Sequence, residues 1–398
     1  FYSKQGFKGF VEHEATQIEF LRNHKTYTQA LTENGYNCGL AGKWHLGAST
    51  KKQAGFNSWN AVVRGASWYM HPEVIIDGKV KLLDEYITNY ISNQAIDFID
   101  QQNDDEPFYL SVHFTAPHSP WDKDDHPIEI WNSYDDCEFK QFKSQPCHRN
   151  QKPTAPLPNE HLSSIEILRG YYTAITAMDK QIGRIINKLK ESKLDKNTII
   201  IYTSDNGMNI GQHGVYGKGN GTYPLNFYEE SIKVPFIYYD PRNKKEALID
   251  KTLVSQYDLF PTLMDVCGIN YIFDKSYPGQ SFSSILNGGS IVERPLVIFE
   301  EYGPNRMIRT NDYKLITRYM DGNDELYDLQ NDPNEEKDLL LNENNNDVAN
   351  ELKKELEAWF NQFVCEAKDG RFCTAVGLGQ YAEFDRPSQP FIQYRKDN

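Results

Sequence analysis

Residues 198–207 read Thr-Ile-Ile-Ile-Tyr-Thr-Ser-Asp-Asn-Gly, and this stretch decides the fold class. Its β-branched run is typical of a strand that is covered on both faces of a sheet. Working outward, apolar residues at helical spacing precede it at 175–189, and another predicted strand lies at 107–114. This alternation predicts an α/β fold in which a large, mostly parallel mixed sheet is sandwiched by helices.

The pattern changes after about residue 290, where short predicted strands are separated by turns rich in Asn and Asp. These strands are 306–310, 313–319 and 325–329, and an amphipathic helix is predicted at 348–363. We therefore predict a smaller C-terminal α+β domain with an antiparallel sheet and a helix. The predicted domains are a catalytic domain at 1–290 and this C-terminal domain at 291–398.

Composition and charge exclude two classes of partner. The 398 residues contain 42 Lys and Arg against 56 Asp and Glu, a net charge of −14. Such an acidic chain is a poor general binder of nucleic acid. No stretch approaches the 18 consecutive apolar residues of a membrane span, so none is predicted. The sequence leaves the oligomeric state open.

The cysteines predict an exported protein. Cys137 and Cys147 lie ten residues apart in a polar segment, and Cys365 and Cys373 lie eight apart near the end of the chain. Each pair is expected to close a local disulfide, which implies an extracytoplasmic location, whether periplasmic, secreted or lysosomal. The chain starts at Phe1, without a methionine or a signal peptide, so any targeting signal would lie upstream of this sequence.

The first candidate site motif, Gly42-Lys43-Trp44-His45, follows a predicted strand. In an extended segment residues i and i+2 point the same way, which puts Lys43 and His45 on one side. A cation beside an imidazole suits an anionic substrate. The alternative is a surface lysine beside a partly buried histidine.

A second candidate, His118, stands between two prolines directly after the predicted strand at 107–114. Ligands of doubly wound sheets bind beyond the carboxyl ends of the strands, so a rigidly held histidine there is a candidate general acid. The alternative is a loop histidine that only caps the sheet.

The third motif is Asp205-Asn206, again at the end of a strand. A carboxylate and an amide oxygen suit calcium or magnesium, although the same residues favour a simple turn. Two adjacent ligands do not complete a six-coordinate site, so other carboxylates would be needed. Lys218 follows in a Gly-rich loop and could reach the same pocket. Together the three motifs predict an anionic ester site with a divalent metal.

These motifs resemble those of the formylglycine-dependent sulfatases of the alkaline phosphatase superfamily. The resemblance covers nearly the whole chain, in the family's order. It rests on Gly35-Tyr36 through Lys43-Trp44-His45, Ala116-Pro117-His118-Ser119-Pro120, Ser204-Asp205-Asn206-Gly207, His213-Gly214 with Lys218, Tyr228 to Pro235, Arg306 to Thr310, and Glu325 to Leu329.

The resemblance implies a role for each matching residue. Lys43 and Lys218 would bind the sulfate, His45 would hydrogen-bond the hydrated nucleophile, and His118 would assist the leaving oxygen. Asp205 and Asn206 would ligate calcium, with magnesium less expected. His213 would contact substrate, as would His71, which lies in a segment that looks like the substrate-side insert of carbohydrate sulfatases. The implied partner is a sulfated glycan.

One departure concerns the nucleophile. The family carries an Asp pair and then a Cys/Ser-x-Pro-x-Arg motif before its second signature, and none of the 34 residues before Gly35 match. Cys38 is followed by Gly39 and no Pro-x-Arg, so the formylglycine is expected upstream of this sequence. The implied activity is sulfuric ester hydrolysis. The alternatives are a phosphonate or phosphate monoester hydrolase, or a non-catalytic glycan-binding relative.

Overall fold

The computed structural model describes residues 24–372 except 64–66, 77–78, 104, 144, 153–162, 244–246, 301–302, 342–345 and 365–368, and also residues 7, 8, 19, 21, 382 and 383. The strands of four or more residues are β1 (Asn37–Gly42), β2 (Ser58–Ala61), β3 (Glu73–Ile76), β4 (Lys79–Leu82), β5 (Phe108–His113), β6 (Ile200–Thr203), β7 (Phe236–Tyr239), β8 (Leu296–Phe299), β9 (Asn305–Arg309), β10 (Tyr313–Arg318) and β11 (Glu325–Asp328). The α-helices are α1 (Tyr27–Glu33), α2 (Ile87–Asp100), α3 (Ile128–Asn132), α4 (Ser164–Glu191), α5 (Glu229–Ile232), α6 (Leu259–Val266), α7 (Ser283–Leu286) and α8 (Asn346–Phe363).

The central layer contains both parallel and antiparallel strand pairs, as predicted for a mixed sheet. β1 lies between β2 and β5 and runs parallel to both, with Gly42 opposite Ala61 and His113. β6 pairs antiparallel with β7. Within the described residues, the expected large sheet is therefore divided into a three-stranded and a two-stranded part.

Helices cover both faces of this layer. On one face α2 and α4 pack together through a cluster that includes Ile87, Ile91 and Met178. On the other face α1 and α6 bury Leu31 and Met264 against β1. The residues at helical spacing in α2 are buried, which is the reason that this segment is helical in the folded chain.

The C-terminal unit is an antiparallel sheet covered by one helix, which confirms the predicted architecture. The strands follow the order β8-β9-β10-β11. α8 packs Leu352, Leu356 and Phe360 onto the sheet, beside Ile308 and Leu315. The sheet begins at Leu296 with a strand that the sequence analysis did not predict.

The predicted Cys137–Cys147 disulfide is wrong, since both thiols are free and exposed. Cys137 is held by a turn after α3, where its amide donates to Tyr134 O. Cys147 precedes His148, whose amide donates to Gly214 O. The two cysteines are thus anchored on different elements. The predicted Cys365–Cys373 pair lies outside the described residues.

No helix in the described part of the chain is both long enough and apolar enough to span a membrane.

The free thiols give a testable outcome. We expect iodoacetamide to alkylate Cys137 and Cys147 in the native protein without prior reduction, because both are exposed, while buried Cys38 is modified only after unfolding. Peptide mass mapping with and without denaturant measures this. A disulfide-linked peptide that contains both residues would contradict the structure.

Candidate active site

A cavity of about 2780 Å³ opens at the carboxyl ends of β1, β5 and β6. Ligand pockets usually have volumes of about 300–1,000 Å³, so the cavity exceeds what one small molecule needs. Six of the eight predicted site residues line it, namely Lys43, His45, His118, Asp205, Asn206 and Lys218. The strand ends of the sheet thus bring together three motifs that are far apart in the sequence.

Lys43 enters the cavity because of the glycine before it. Gly42 has a φ of +111°, and a Cβ there would lie 2.1 Å from the carbonyl oxygen of His113. The Lys43 amide donates to that same oxygen at 2.9 Å, which fixes the end of β1 on β5. Any other residue at position 42 would clash with the neighbouring strand.

Two lysines contact the adjacent residues Asp205 and Asn206 at this edge. Lys43 Nζ lies 3.9 Å from Asp205 Oδ2, and Lys218 Nζ donates to Asn206 Oδ1 at 3.2 Å. Burial lowers the pKa of Lys43, and Lys218 lowers it further, while Asp205 opposes both. Burial raises the pKa of Asp205, but Lys43 and Lys218 outweigh it and the net change is downward. With both lysines protonated, the three charges sum to +1, which favours binding of an anion.

Backbone contacts fix the loop that carries Asp205. The Asn206 amide donates to Asp205 Oδ1 at 2.9 Å, and Gln256 Nε2 donates to the carbonyl oxygens of Ser204 and Asp205. The Gly207 amide donates to Ser231 O at 3.0 Å. The Asp205 side chain itself is 69% exposed, and it faces the cavity. The carboxylate is therefore positioned but accessible.

The C-terminal sheet holds α5, the helix behind this loop. Lys314 of β10 is buried between Glu229 and Glu335, with Nζ to carboxylate distances of 2.7 and 2.6 Å. Arg309 of β9 also contacts Glu229, at 3.0 Å. Burial raises the pKa of Glu229, but Lys314 and Arg309 outweigh this and bring it to about 2.

His118 is neutral in this structure. Burial, and then the charge of Lys218, lowers its pKa to about 4. Its Nδ1 lies 2.8 Å from Ser119 O, so Nδ1 carries the proton and Nε2 keeps a lone pair. The expected general acid therefore holds no acidic proton at neutral pH in this state. A bound anion would raise the pKa of His118, because it would offset the field of the lysines.

His71 and His213 lie away from the cavity lining. His71 is 62% exposed, and its Nδ1 lies 3.3 Å from Asp84. His213 stacks on Tyr228 at 3.8 Å and lies 3.2 Å from Glu230, whose pKa its hydrogen bond lowers. The structure does not bring these two predicted contacts together with the other six.

The candidate metal ligands fit part of a coordination shell. Asp205 and Asn206 offer the hard oxygen atoms that calcium prefers, but calcium takes 6–8 ligands. A second group, His213, Glu230 and Glu335, has ligand atoms within 4.8 Å of one another. In this second group, the Glu335 carboxylate already accepts a hydrogen bond from the ammonium group of Lys314, so a protein cation already lies beside it.

His113 was missed by the sequence analysis, although it ends β5. Its Nδ1 lies 2.9 Å from Lys43 O. The His113 side chain also lines the cavity, and solvent reaches the side chain through the cavity. Burial lowers its pKa. The sequence analysis also missed Gln256. This residue lies in the turn directly before α6, and only the fold places that turn beside Asp205.

Comparisons with known proteins identify the family of the chain. Residues 3–269 match the family described as Sulfatase, and residues 211–362 match the family described as N-sulphoglucosamine sulphohydrolase, C-terminal. An N-acetylglucosamine-6-O-sulfatase of Bacteroides thetaiotaomicron is 25% identical, over 82% of this chain and 70% of that protein. The N-acetylglucosamine-6-sulfatase of Bos taurus is 27% identical, over 69% of this chain and 50% of that protein.

Solved structures share the fold. One, described in complex with its substrate D-glucosamine-2-N,6-O-disulfate, has a TM-score of 0.73 at 21% identity and covers 92% of this chain and 89% of that one. The phosphonate monoester hydrolase of Agrobacterium radiobacter has a TM-score of 0.62 at 19% identity, with coverages of 91% and 90%. At such identities these likenesses establish the fold alone.

The protonation state of His118 can be measured. We expect its ring to titrate near pH 4, far below the ordinary 6.5, because burial and Lys218 disfavour the charged form. The unfolded chain binds this proton at higher pH, so the stability contributed by neutral His118 is lost as the pH falls from about 6.5 to 4. NMR of histidine-labelled protein, with the signal assigned from a His118→Asn variant, measures the pKa. A midpoint at or above 6.5 would show that the ring is not held neutral.

Proposed function

The chain belongs to the sulfatase family, and from that premise we propose that it holds the sulfate group of a sulfated carbohydrate for hydrolysis. The observation that carries the proposal is the convergence of Lys43 and Lys218 beside Asp205 in one cavity. A sulfate ester brings a negative charge, and its oxygens gain more as the S–O bond breaks. Preorganised cations stabilise that charge.

The other residues of the site are assigned roles from their positions in the cavity. His45 lines the same cavity and would hydrogen-bond the nucleophile, while His118 presents a lone pair on Nε2. Once a bound anion has raised its pKa, His118 would take a proton from water on Nε2 and then donate that proton to the leaving oxygen as the S–O bond breaks. This order differs from that of a general acid that already carries its proton before the substrate binds. The formylglycine implied by the resemblance would supply the attacking oxygen when present.

Asp205 and Asn206 are proposed as two ligands of a calcium ion. Their support is the oxygen donor set and their place beside the lysines. When bound, the ion would polarise an oxygen of the reacting group.

An extracytoplasmic location is also a proposal, and the free thiols of Cys137 and Cys147 remove one argument for it.

A sulfated sugar is the proposed substrate class. Relatives named as N-acetylglucosamine-6-sulfatases support it. The loop at 67–72 supports it as well, because Tyr69 donates to His118 O at 2.8 Å and anchors the loop beside the cavity. On this loop Trp68 is 67% exposed, and His71 stands close by in the sequence. These side chains are proposed to contact the sugar rather than the sulfate.

The lysine pair is tested by ligand binding. We expect Lys43→Ala and Lys218→Ala each to weaken binding of N-acetylglucosamine 6-sulfate by at least about tenfold, since a hydrogen bond to a charged group contributes about 1.5–3 kcal/mol. Isothermal titration calorimetry measures the dissociation constants. Lys196→Ala, which removes an exposed lysine outside the cavity lining, is the matched control.

Two further ligands decide between the candidate functions. Unsulfated N-acetylglucosamine should bind far more weakly, because the lysines then have no anion to hold. Tighter binding of N-acetylglucosamine 6-phosphate than of the sulfate would favour a phosphate ester hydrolase. Equal binding by the control and both lysine variants would reject the proposed sulfate site.

A further inference from the structure

One buried serine contacts both of the loops that carry the charges of the site. Ser231 lies in α5, and its carbonyl oxygen accepts from the Gly207 amide at 3.0 Å, in the loop that carries Asp205. Its hydroxyl donates to Asn226 Oδ1 at 2.6 Å and accepts from Asn209 Nδ2 at 2.7 Å. The backbone of this serine therefore holds one loop, while its side chain joins two asparagines.

These asparagines hold the backbone of the Lys218 loop. Asn226 Nδ2 donates to the carbonyl oxygens of Lys218 and Gly219, at 3.2 Å each. The Asn226 backbone amide also donates to Gly219 O, at 3.0 Å. Asn209 Nδ2 donates to Gly217 O at 3.2 Å. Three successive carbonyl oxygens of this loop are thus bound by two side chains that meet at the same hydroxyl.

The three side chains form a buried polar network. Ser231, Asn226 and Asn209 are 4%, 6% and 0% exposed. The low dielectric of the interior strengthens such hydrogen bonds, and a satisfied network specifies one arrangement of its groups. Asn209 Oδ1, however, is buried without a hydrogen-bond partner in the described part of the chain. Burial of an unpaired oxygen costs stability, so stability alone does not account for this network.

The position of Lys218 matters because its ammonium group acts on two parts of the site. Lys218 Nζ donates to Asn206 Oδ1 at 3.2 Å, and Asn206 directly precedes Gly207 in the chain. The charge of Lys218 is also the second cause, after burial, of the low pKa of His118. A displacement of the Lys218 backbone would therefore change the contact with Asn206 and the field at His118 together.

We propose that Ser231 and Asn226 are positioning residues, which fix the Lys218 ammonium group at the polar end of the cavity and so set the positive field that an anion meets there. Neither of the two side chains lines the cavity, so each acts through Lys218 and not on a substrate. The proposal rests on the proposed function for the identity of the anion. The arrangement of the charges can nevertheless be measured in the protein without a ligand.

The ring of His118 is the probe of Lys218 in the unliganded chain. We expect Ser231→Ala and Asn226→Ala each to raise the pKa of His118 by about 0.5 or more, because a displaced ammonium group disfavours the charged ring less. NMR of histidine-labelled protein measures this change. Lys218→Ala gives the largest rise. On the Lys218→Ala background, Ser231→Ala should cause no further change, whereas a general loosening of the structure would still move the pKa.

Calorimetry with N-acetylglucosamine 6-sulfate gives a second measurement. We expect Ser231→Ala to weaken binding by about threefold to tenfold, less than Lys218→Ala, because the cation is displaced and not removed. The matched control is Ser49→Ala. Ser49 is also 4% exposed, and its hydroxyl donates to Val63 O at 2.7 Å, outside the network. This variant should leave both measurements unchanged although it loses a buried hydrogen bond.

The two proposals can fail separately. If the unmodified chain binds no sulfated sugar, the proposed function fails, while the pKa of His118 still decides the role of the network. The positioning role is overturned if a folded Ser231→Ala or Asn226→Ala variant leaves that pKa unchanged, or if the change persists in full on the Lys218→Ala background. It is also overturned if neither variant folds, because the network would then serve stability alone.

Discussion

Lys43 and Lys218 place two ammonium groups beside the adjacent residues Asp205 and Asn206, and this concentration of positive charge is the feature that the fold has to hold together. Burial and then the field of Lys218 lower the pKa of Lys43, so this arrangement has a cost in the empty protein. An arriving anion relieves that repulsion. The parallel strands deliver Lys43 from one side and Asp205 from the other, and Gly42 allows the close approach between β1 and β5.

The C-terminal sheet contributes to the site without touching it. Lys314 and Arg309 hold Glu229 at the start of α5, and the carbonyl oxygen of Ser231 in that helix accepts from Gly207. Gly207 comes directly after Asp205 and Asn206 in the chain. Because Lys314 is fully buried between carboxylates, removing it would leave charges uncompensated and destabilise this connection strongly. The two parts of the chain are therefore coupled through buried ion pairs.

Much of this fold could be predicted because its signals are local. The β-branched run before Asp205 and the helical spacing in α2 each determine an element, and parallel strands bring their carboxyl ends to one edge. That reasoning placed Lys43, His118 and Lys218 correctly in one cavity. It failed where a property depends on tertiary surroundings. The charge of His118 is set by burial and by Lys218, and spacing alone could not show that Cys137 and Cys147 are held apart.

The unpaired edge of β6 illustrates the same limit. The sequence of β6 predicts a strand covered on both sides, and the structure covers its two faces but leaves one edge unpaired within the described residues.

The most direct test of the account is a crystal structure of the chain with N-acetylglucosamine 6-sulfate, grown without other sulfate or phosphate. The account predicts sulfate oxygens within hydrogen-bond distance of both Lys43 Nζ and Lys218 Nζ. A sulfate group bound away from these two lysines, with the cavity edge beside Asp205 left free, would contradict it.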